Sequence, residues 1–475
     1  MALALRMLAC GWYGTHNYYL FSIYDSKEFS SRVNQVTMDN WRAYLGPGVE
    51  FPYFDADVVI QAAQARGDAL MADYVRQLGK YLECAQESKN ERWSYPTKAE
   101  LAHRSQKLRS VRNYALGKLK SRLRSQHALL YMRCNMMLGN HAENITFWEQ
   151  TGCRYIETVY KDMMKNIYAG ALAKNGQSDR AGAMFAETGD WASLMTLYYK
   201  KRSYDAIRAE YLRNPNSPVL PFLLQDFVNN AQEAVDGTND WGYAGKLFIR
   251  DIQRSEARQM CQLATQVVKD GKSNCPLMWQ SAKVWLEYLF GDRKQSLAGL
   301  KTLDALDGTQ RMHDNARVLT FYVTSAMSSV SDQYNDYLAG ELVWLESMQK
   351  SDDHYGHALD RTIHQVLADK YLDVNRPEVA IALYNIDRAG EFDSFIDTMA
   401  VERLKKVMDY ANSPATTALD RYLKSRQKID PVAMNDLIGT KYLRLCQWEK
   451  ALTWLVKVPL SYVNGKGYQP YAARR

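Results

Sequence analysis

The sequence predicts an all-α protein: an α-α superhelix of antiparallel helix pairs, preceded by a short irregular amino-terminal segment. Three observations predict it. From about Asp55 onward apolar residues recur at steps of three and four, and the alternating β-branched runs of strands are missing. Short Gly, Asn or Pro breaks cut this region into segments of roughly 10 to 20 residues, more regular than a simple bundle requires. A chain of 475 residues also exceeds what one compact core usually holds. The expected organisation is an irregular segment over 1–54, a helical region with loose repeats over 55–235, clearer repeats over 236–460, and a tail over 461–475.

Composition sets the class. With 47% apolar and 24% charged residues the chain reads as folded. Tyrosine is in excess, 32 Tyr and 11 Trp against 13 Phe. A ring that packs while its hydroxyl stays wet suits an elongated body with much half-buried surface, and equally a peptide or glycan groove. No run approaches the ~18 to 20 apolar residues that a membrane-spanning helix needs. The cysteines at 10, 84, 134, 153, 261, 275 and 446 form no CxxC pair and no zinc-like spacing. Cys134, Cys261 and Cys446 lie in apolar helical patterns, where a small buried hydrophobe is expected. Cys261 and Cys275 are a candidate bridge between neighbouring helices.

At the amino terminus Met1–Gly11 reads MALALRMLACG. The apolar stretch ending in Leu8-Ala9-Cys10-Gly11 has the small residues and following cysteine of a lipoprotein signal, although it is short and interrupted by Arg6. Cys10 is therefore the candidate lipid anchor. The expected location is exported, periplasmic or associated with the outer membrane, with a cytoplasmic protein as the alternative. Cys10-Gly-Trp-Tyr-Gly-Thr-His-Asn-Tyr-Tyr resembles the start of uncharacterised exported helical proteins from Bacteroidetes, a likeness of about a dozen residues that implies no activity.

The positive charge is local. Lys98 to Arg124 holds nine basic residues and one acid, enough to account for the whole net charge of +7. Thr97 and Glu100 form a capping box, so a helix begins there. The charges wrap around that helix instead of forming one basic face, and only Tyr114 lies among them. A solvated helix or an acidic protein contact is expected, and nucleic acid is disfavoured.

Repeats follow. Gly139, Asn144 and Trp148, then Gly176, Ala181 and Phe185, stand in the same relation of turn, small residue and large residue; Asn144 departs from the small type. Leu367, Ala368, Tyr371, Ala380 and Tyr384 make a fuller copy around the turn Asn375-Arg376-Pro377-Glu378, read as a capped helix start. Asp430-Pro431 opens the clearest copy, with Ile438, Gly439, Tyr442, Ala451 and Leu455. Phe395 to Lys428 reads as a degenerate copy between the two. These spacings resemble the tetratricopeptide repeat, in which small residues let paired helices approach and aromatics fill the space to the next pair.

That resemblance implies a stack whose first helices line a concave, partner-binding face. Projecting them gives Gln365, Asp369 and Asp373, then Asp436, Thr440 and Arg444, with Arg133, Asn166 and Lys174 from the looser copies. No phosphate loop, GxSxG turn or HExxH helix is present. Asp353, His357, Asp360 and His364 share a helical face, but the plainer reading is a polar connector. No catalytic residue, metal or cofactor is expected. The expectation is a non-catalytic scaffold for a protein or peptide partner. The alternative is a glycan-binding surface lipoprotein: the chain resembles the SusD-like proteins in length, Tyr/Trp content and Cys10, but not in the residues after that cysteine.

Overall fold

A computed structural model describes residues 18–24, 29–90, 95–238, 242, 244–245, 249–386, 392–426, 430–459 and 461–462. Cys10 lies outside them. The described residues are all-α, with β structure limited to an isolated bridge between Thr238 and Ala244. No described helix is long and apolar enough to cross a membrane. The chain divides into two compact units. One is Tyr24–Leu223; the other joins Met1–Ile23 to Leu224–Arg475.

In the amino-terminal unit a helix occupies Phe29–Leu45, inside the stretch read as irregular. The basic segment opens as expected. Thr97 caps the helix Lys98–Gly117, and Glu100 returns the bond to the Thr97 N–H at 2.7 Å. Its cations have local partners: Arg112 reaches Glu143 at 3.2 Å, Arg124 reaches Glu157 at 3.5 Å, Lys107 pairs with Glu83 and Arg122 with Asp68. Such exposed pairs each contribute little, roughly 0–1 kcal/mol, but they disperse the charge among neighbouring acids.

The loose repeats here are real helix pairs. Arg124–Leu138 packs on His141–Gln150, and Thr158–Lys174 on Ser178–Thr188. Gly139 and Gly176 take the left-handed backbone that closes each first helix, at φ of 79° and 80°. Asn144 is fully buried, and its amide is satisfied at both ends. It donates to the Met132 carbonyl at 2.9 Å and accepts from Asn135 at 3.1 Å, so a polar clasp replaces the expected small-residue contact.

In the carboxy-proximal unit the clearest repeat forms Pro431–Arg444 against Trp448–Leu455, with Asp430 accepting from the Val432 N–H at 2.9 Å. Gly439 is where the helices touch: a Cβ there would lie 2.6 Å from Leu455. Ala368, Ala380 and Ala451 are buried too. Leu404, Val407, Ile438, Tyr442, Ala451 and Leu455 share one core, so the degenerate copy packs beside its successor.

Contacts run mostly from each helix to the next and the next but one. Two described contacts depart widely from that rule: Phe29–Leu45 meets Thr158–Lys174, and Ala418–Arg426 reaches back to Asp332–Met348, where Arg426 holds Glu346.

Two local expectations need correcting, and the open question of a Cys261–Cys275 bridge is answered. The turn at Asn375–Glu378 has no side-chain cap; Glu378 pairs with Arg376 instead, and Asn375 ends the preceding helix at φ 58°. Cys446 is exposed, because it occupies the same left-handed turn position, at φ 56°, in the last pair. Cys261 and Cys275 are both free thiols.

Candidate functional site

An extended set of polar contacts lies in the carboxy-proximal unit, around a piece of chain that belongs to no helix. Residues 18–23 have no helical hydrogen bonding. Leu20, Phe21 and Ile23 are nonetheless buried as deeply as core residues. Each such side chain contributes about 1.5–3 kcal/mol on leaving water. Their backbone needs partners in exchange, because a buried amide without a hydrogen bond is costly.

Three helices supply those partners. From Leu220–Asp236, Gln232 works as a two-ended amide: its Oε1 accepts from the Leu20 N–H at 3.2 Å, and its Nε2 donates to the Tyr18 carbonyl at 3.0 Å. Asn315, on Gln310–Met327, donates to the Leu20 carbonyl at 2.7 Å. Arg361, on Asp353–Thr362, donates to the Tyr18 carbonyl at 3.2 Å. Gln232 and Asn315 are fully buried or nearly so, and the Arg361 side chain is only 2% exposed.

Arg361 is itself anchored from beneath. Its two terminal nitrogens bond the two Asp236 carboxylate oxygens, each at 2.9 Å, in a bidentate fork. Tyr322 flanks it, with the guanidinium carbon 5.9 Å from the ring centroid, and burial pushes the Tyr322 phenol up to about 12. Immediately after this helix the chain widens into a π turn over Ile363–Leu367 before Ala368–Asp373 resumes as α-helix. Such turns are often found at functional sites.

The segment's own side chains are received as well. Tyr18 stacks on His357, centroids 4.2 Å apart and planes at 9°. The Tyr19 hydroxyl donates to Glu233. Arg311 donates to the Ser22 hydroxyl at 2.6 Å and to Asp352 at 2.7 Å. Burial, seconded by the Arg311 charge, pushes the adjacent His354 imidazole down to about 4. For Asp352 burial acts upward, but the bonds from Arg311 and the His354 N–H outweigh it and hold the carboxyl below its ordinary range. This cluster is built from fixed charges and a neutral imidazole, and it holds a peptide backbone by amide and guanidinium groups.

The structure distributes the sequence-predicted residues unevenly. Gln365 is exposed, and its Oε1 accepts from the Tyr322 hydroxyl at 3.0 Å, one residue removed from Arg361. Asp369 and Asp373 are exposed on the helix beyond the π turn. Arg444 is exposed near Asp397, at 3.5 Å; Asp436 is half-buried; Thr440 is buried. Arg133, Asn166 and Lys174 fall in the other unit. There Arg133 lies over the Tyr81 ring, Asn166 donates to Asp190 at 2.6 Å, and Lys174 is exposed. Of the shared Asp/His face, His357 meets Tyr18 and His364 meets the edge of Tyr384; no group of three metal-ligand residues gathers among the described residues.

Gln232, Asn315 and Arg361 were not legible as a site in sequence. The available signal was a large polar residue in the apolar stripe of a helix, which a folded chain tolerates only when that residue has partners.

A second concavity of about 350 Å³ is lined by Arg254, Arg258, Cys261, Lys283, Glu287 and Asp292, among others. Its carboxylates face cations: Asp292 is 3.2 Å from Arg254, and Glu287 is 3.8 Å from Lys283. Burial raises the Glu287 carboxyl and pushes the Cys261 thiol up to about 12, far from a reactive thiolate. Comparison with protein-family models, curated proteins and solved structures finds no match for this chain.

Proposed function

We propose that the protein is a non-catalytic scaffold of stacked, tetratricopeptide-like helix pairs that binds a protein partner through a non-helical peptide segment, at the cell envelope. One observation carries this reading. Side chains from three helices, Gln232, Asn315 and Arg361, grip the backbone of residues 18–20, while Leu20 and Phe21 are fully buried. Gripping the backbone gives affinity for a peptide as such, and the apolar seats beside it give preference.

The chemistry favours peptide over glycan. A sugar site wants exposed aromatic platforms, whereas this seat is lined by amides and guanidinium groups. Among the described residues the strongly exposed rings, Tyr53, Tyr95, Tyr199 and Trp448, are scattered along the chain. A scaffold role also fits the second concavity, whose carboxylates are paired with cations and whose thiol is held protonated. Gln365, Asp369 and Asp373 follow Arg361 in sequence, and we assign them to contacts with the partner beyond the seat.

The test is selection from a random peptide display library. The bait is the full chain carrying Leu20→Asp and Phe21→Asp, which empties the seat. Counter-selection uses the same chain with Gln232→Ala and Asn315→Ala added. Enrichment of peptides pairing an aromatic with a nearby Leu-Phe-sized apolar pair is expected. A selection that enriches nothing over the counter-selected chain defeats the reading.

A further inference from the structure

The seat is not empty: the chain's own residues 18–23 fill it. We infer that this segment is a resident pseudo-ligand, which occupies the partner's site in cis and must be displaced before a partner peptide can bind. The inference rests on the peptide-binding function proposed above and specifies both the site and its control.

Four features of the contacts argue for it. The grip is directed at backbone groups, the Leu20 N–H and C=O and the Tyr18 C=O, which any peptide presents. Two of the three gripping groups are preorganised without the segment's help: Asp236 accepts from both Arg361, at 2.9 Å, and Gln232, at 3.3 Å. A site fixed by its own second layer of bonds loses little freedom on binding. The partners on the seat lie between 212 and 343 residues along the chain from the segment, so the segment behaves as a separate piece docked on a finished surface. Finally, its side-chain contacts are those of a specific ligand: a ring stacked on His357, a hydroxyl on Glu233, a hydroxyl on Arg311, and an adjacent Leu-Phe pair buried.

The partner segment that fits is therefore defined chemically. It is non-helical, has an aromatic residue to stack on His357, and carries two consecutive large apolar residues two and three positions later, followed by a small hydroxyl residue that Arg311 can hold. Proline at the Leu20-equivalent position is excluded, because that N–H is used.

The experiment uses three full-length chains: wild type, the Leu20→Asp/Phe21→Asp chain, and that chain with Gln232→Ala and Asn315→Ala. The probe is a fluorescein-labelled peptide of the sequence Tyr-Tyr-Leu-Phe-Ser-Ile-Tyr with two lysines appended for solubility, followed by anisotropy. The opened chain is expected to bind it saturably. Wild type should bind on the order of 100-fold more weakly, because a tethered competitor acts at an effective concentration near the millimolar range. The four-fold substituted chain should lose a factor of about 100, as the three hydrogen bonds made by Gln232 and Asn315, at roughly 1 kcal/mol each, would give.

Equal binding by wild type and opened chain overturns the resident-ligand inference and leaves the peptide-binding function standing. Binding by neither overturns both. Should circular dichroism show the opened chain unfolded, a specific-protease site placed within 25–28 of the otherwise wild-type chain gives the same decision. The protein is folded first and then cut, and the labelled peptide must exchange in only after cutting. Exchange before cutting, or none after it, counts against the inference.

Discussion

Two regions of the carboxy-proximal unit solve the same problem, burying apolar surface without stranding polar backbone, by opposite means. In the pair Pro431–Arg444 and Trp448–Leu455 the backbone satisfies itself by helical bonds. Closeness comes from omission: Gly439 has no side chain where Leu455 arrives. Around residues 18–23 the backbone has no helix to rely on. Closeness there comes from addition, with an amide, a second amide and a guanidinium brought in to answer it. The first device is local and repeats along the chain. The second is assembled from distant parts and is specific to one place, which is why it can serve recognition.

The comparison can be broken most severely at Arg361. Arg361→Ala leaves the Asp236 carboxylate, only 12% exposed, without its bidentate partner. Loss of one member of a buried pair costs about 3–5 kcal/mol. Denaturant unfolding should show a loss of that size, together with faster hydrogen exchange at the Leu20 amide. The counterpart in the local device is Gly439→Ala. The added Cβ must push Leu455 aside, at about 1–3 kcal/mol. Exchange should rise in the last helix pair while the Leu20 amide keeps its protection; equal loosening of both would show that the two devices are not independent.

Asn315→Ala sharpens the contrast at lower amplitude. It removes the donor to the Leu20 carbonyl and should cost about 1–3 kcal/mol, the penalty of a buried acceptor left unmatched. Exchange protection over residues 18–24 should fall with that over Pro431–Arg444 unchanged. Acidification should act on the same side of the comparison. His354 is held neutral in the fold, down to about 4, while an unfolded imidazole takes its proton near 6.5. Between those values the unfolded chain binds the extra proton, so stability falls as pH drops from about 6.5 toward 4. His354→Asn should flatten part of that slope in thermal melts taken across the window. The smallest effect is expected at the exposed cap: Thr97→Ala should cost about 1 kcal/mol and leave both regions as they are.

What the sequence disclosed follows the same division. A helix pair is encoded over about 30 neighbouring residues by spacing, caps and breaks, so the resemblance to the repeat spacing singled out Gly439, Ala451, Ala368 and Ala380, all of them buried. The capping box at Thr97 and the left-handed turns at Gly139 and Gly176 were legible for the same reason. The basic segment was legible as dispersed charge, although its acidic partners were not. Asn144 looked like a flaw in a small-residue position because its clasp with Asn135 depends on side-chain directions that a pattern does not carry. Asp369, Asp373 and Arg444, projected onto a partner-facing surface, are exposed. Thr440, projected onto the same surface, is buried, since periodicity fixes the face of a helix but not what packs over it. Gln232, Asn315 and Arg361 come together only once three separate helices are in place, and no spacing in the chain announces that meeting.

The separation of residues 18–23 from the arginine that holds them has a consequence in time. The hydrogen bond from Arg361 to the Tyr18 carbonyl spans 343 residues. At a synthesis rate of about 5–20 residues per second, a nascent chain carries Leu20, Phe21 and Ile23 for some 20 seconds to a minute before their seat has been translated. During that interval this apolar stretch is without its shelter. Whatever handles the newborn chain must shield that stretch or move it onward first.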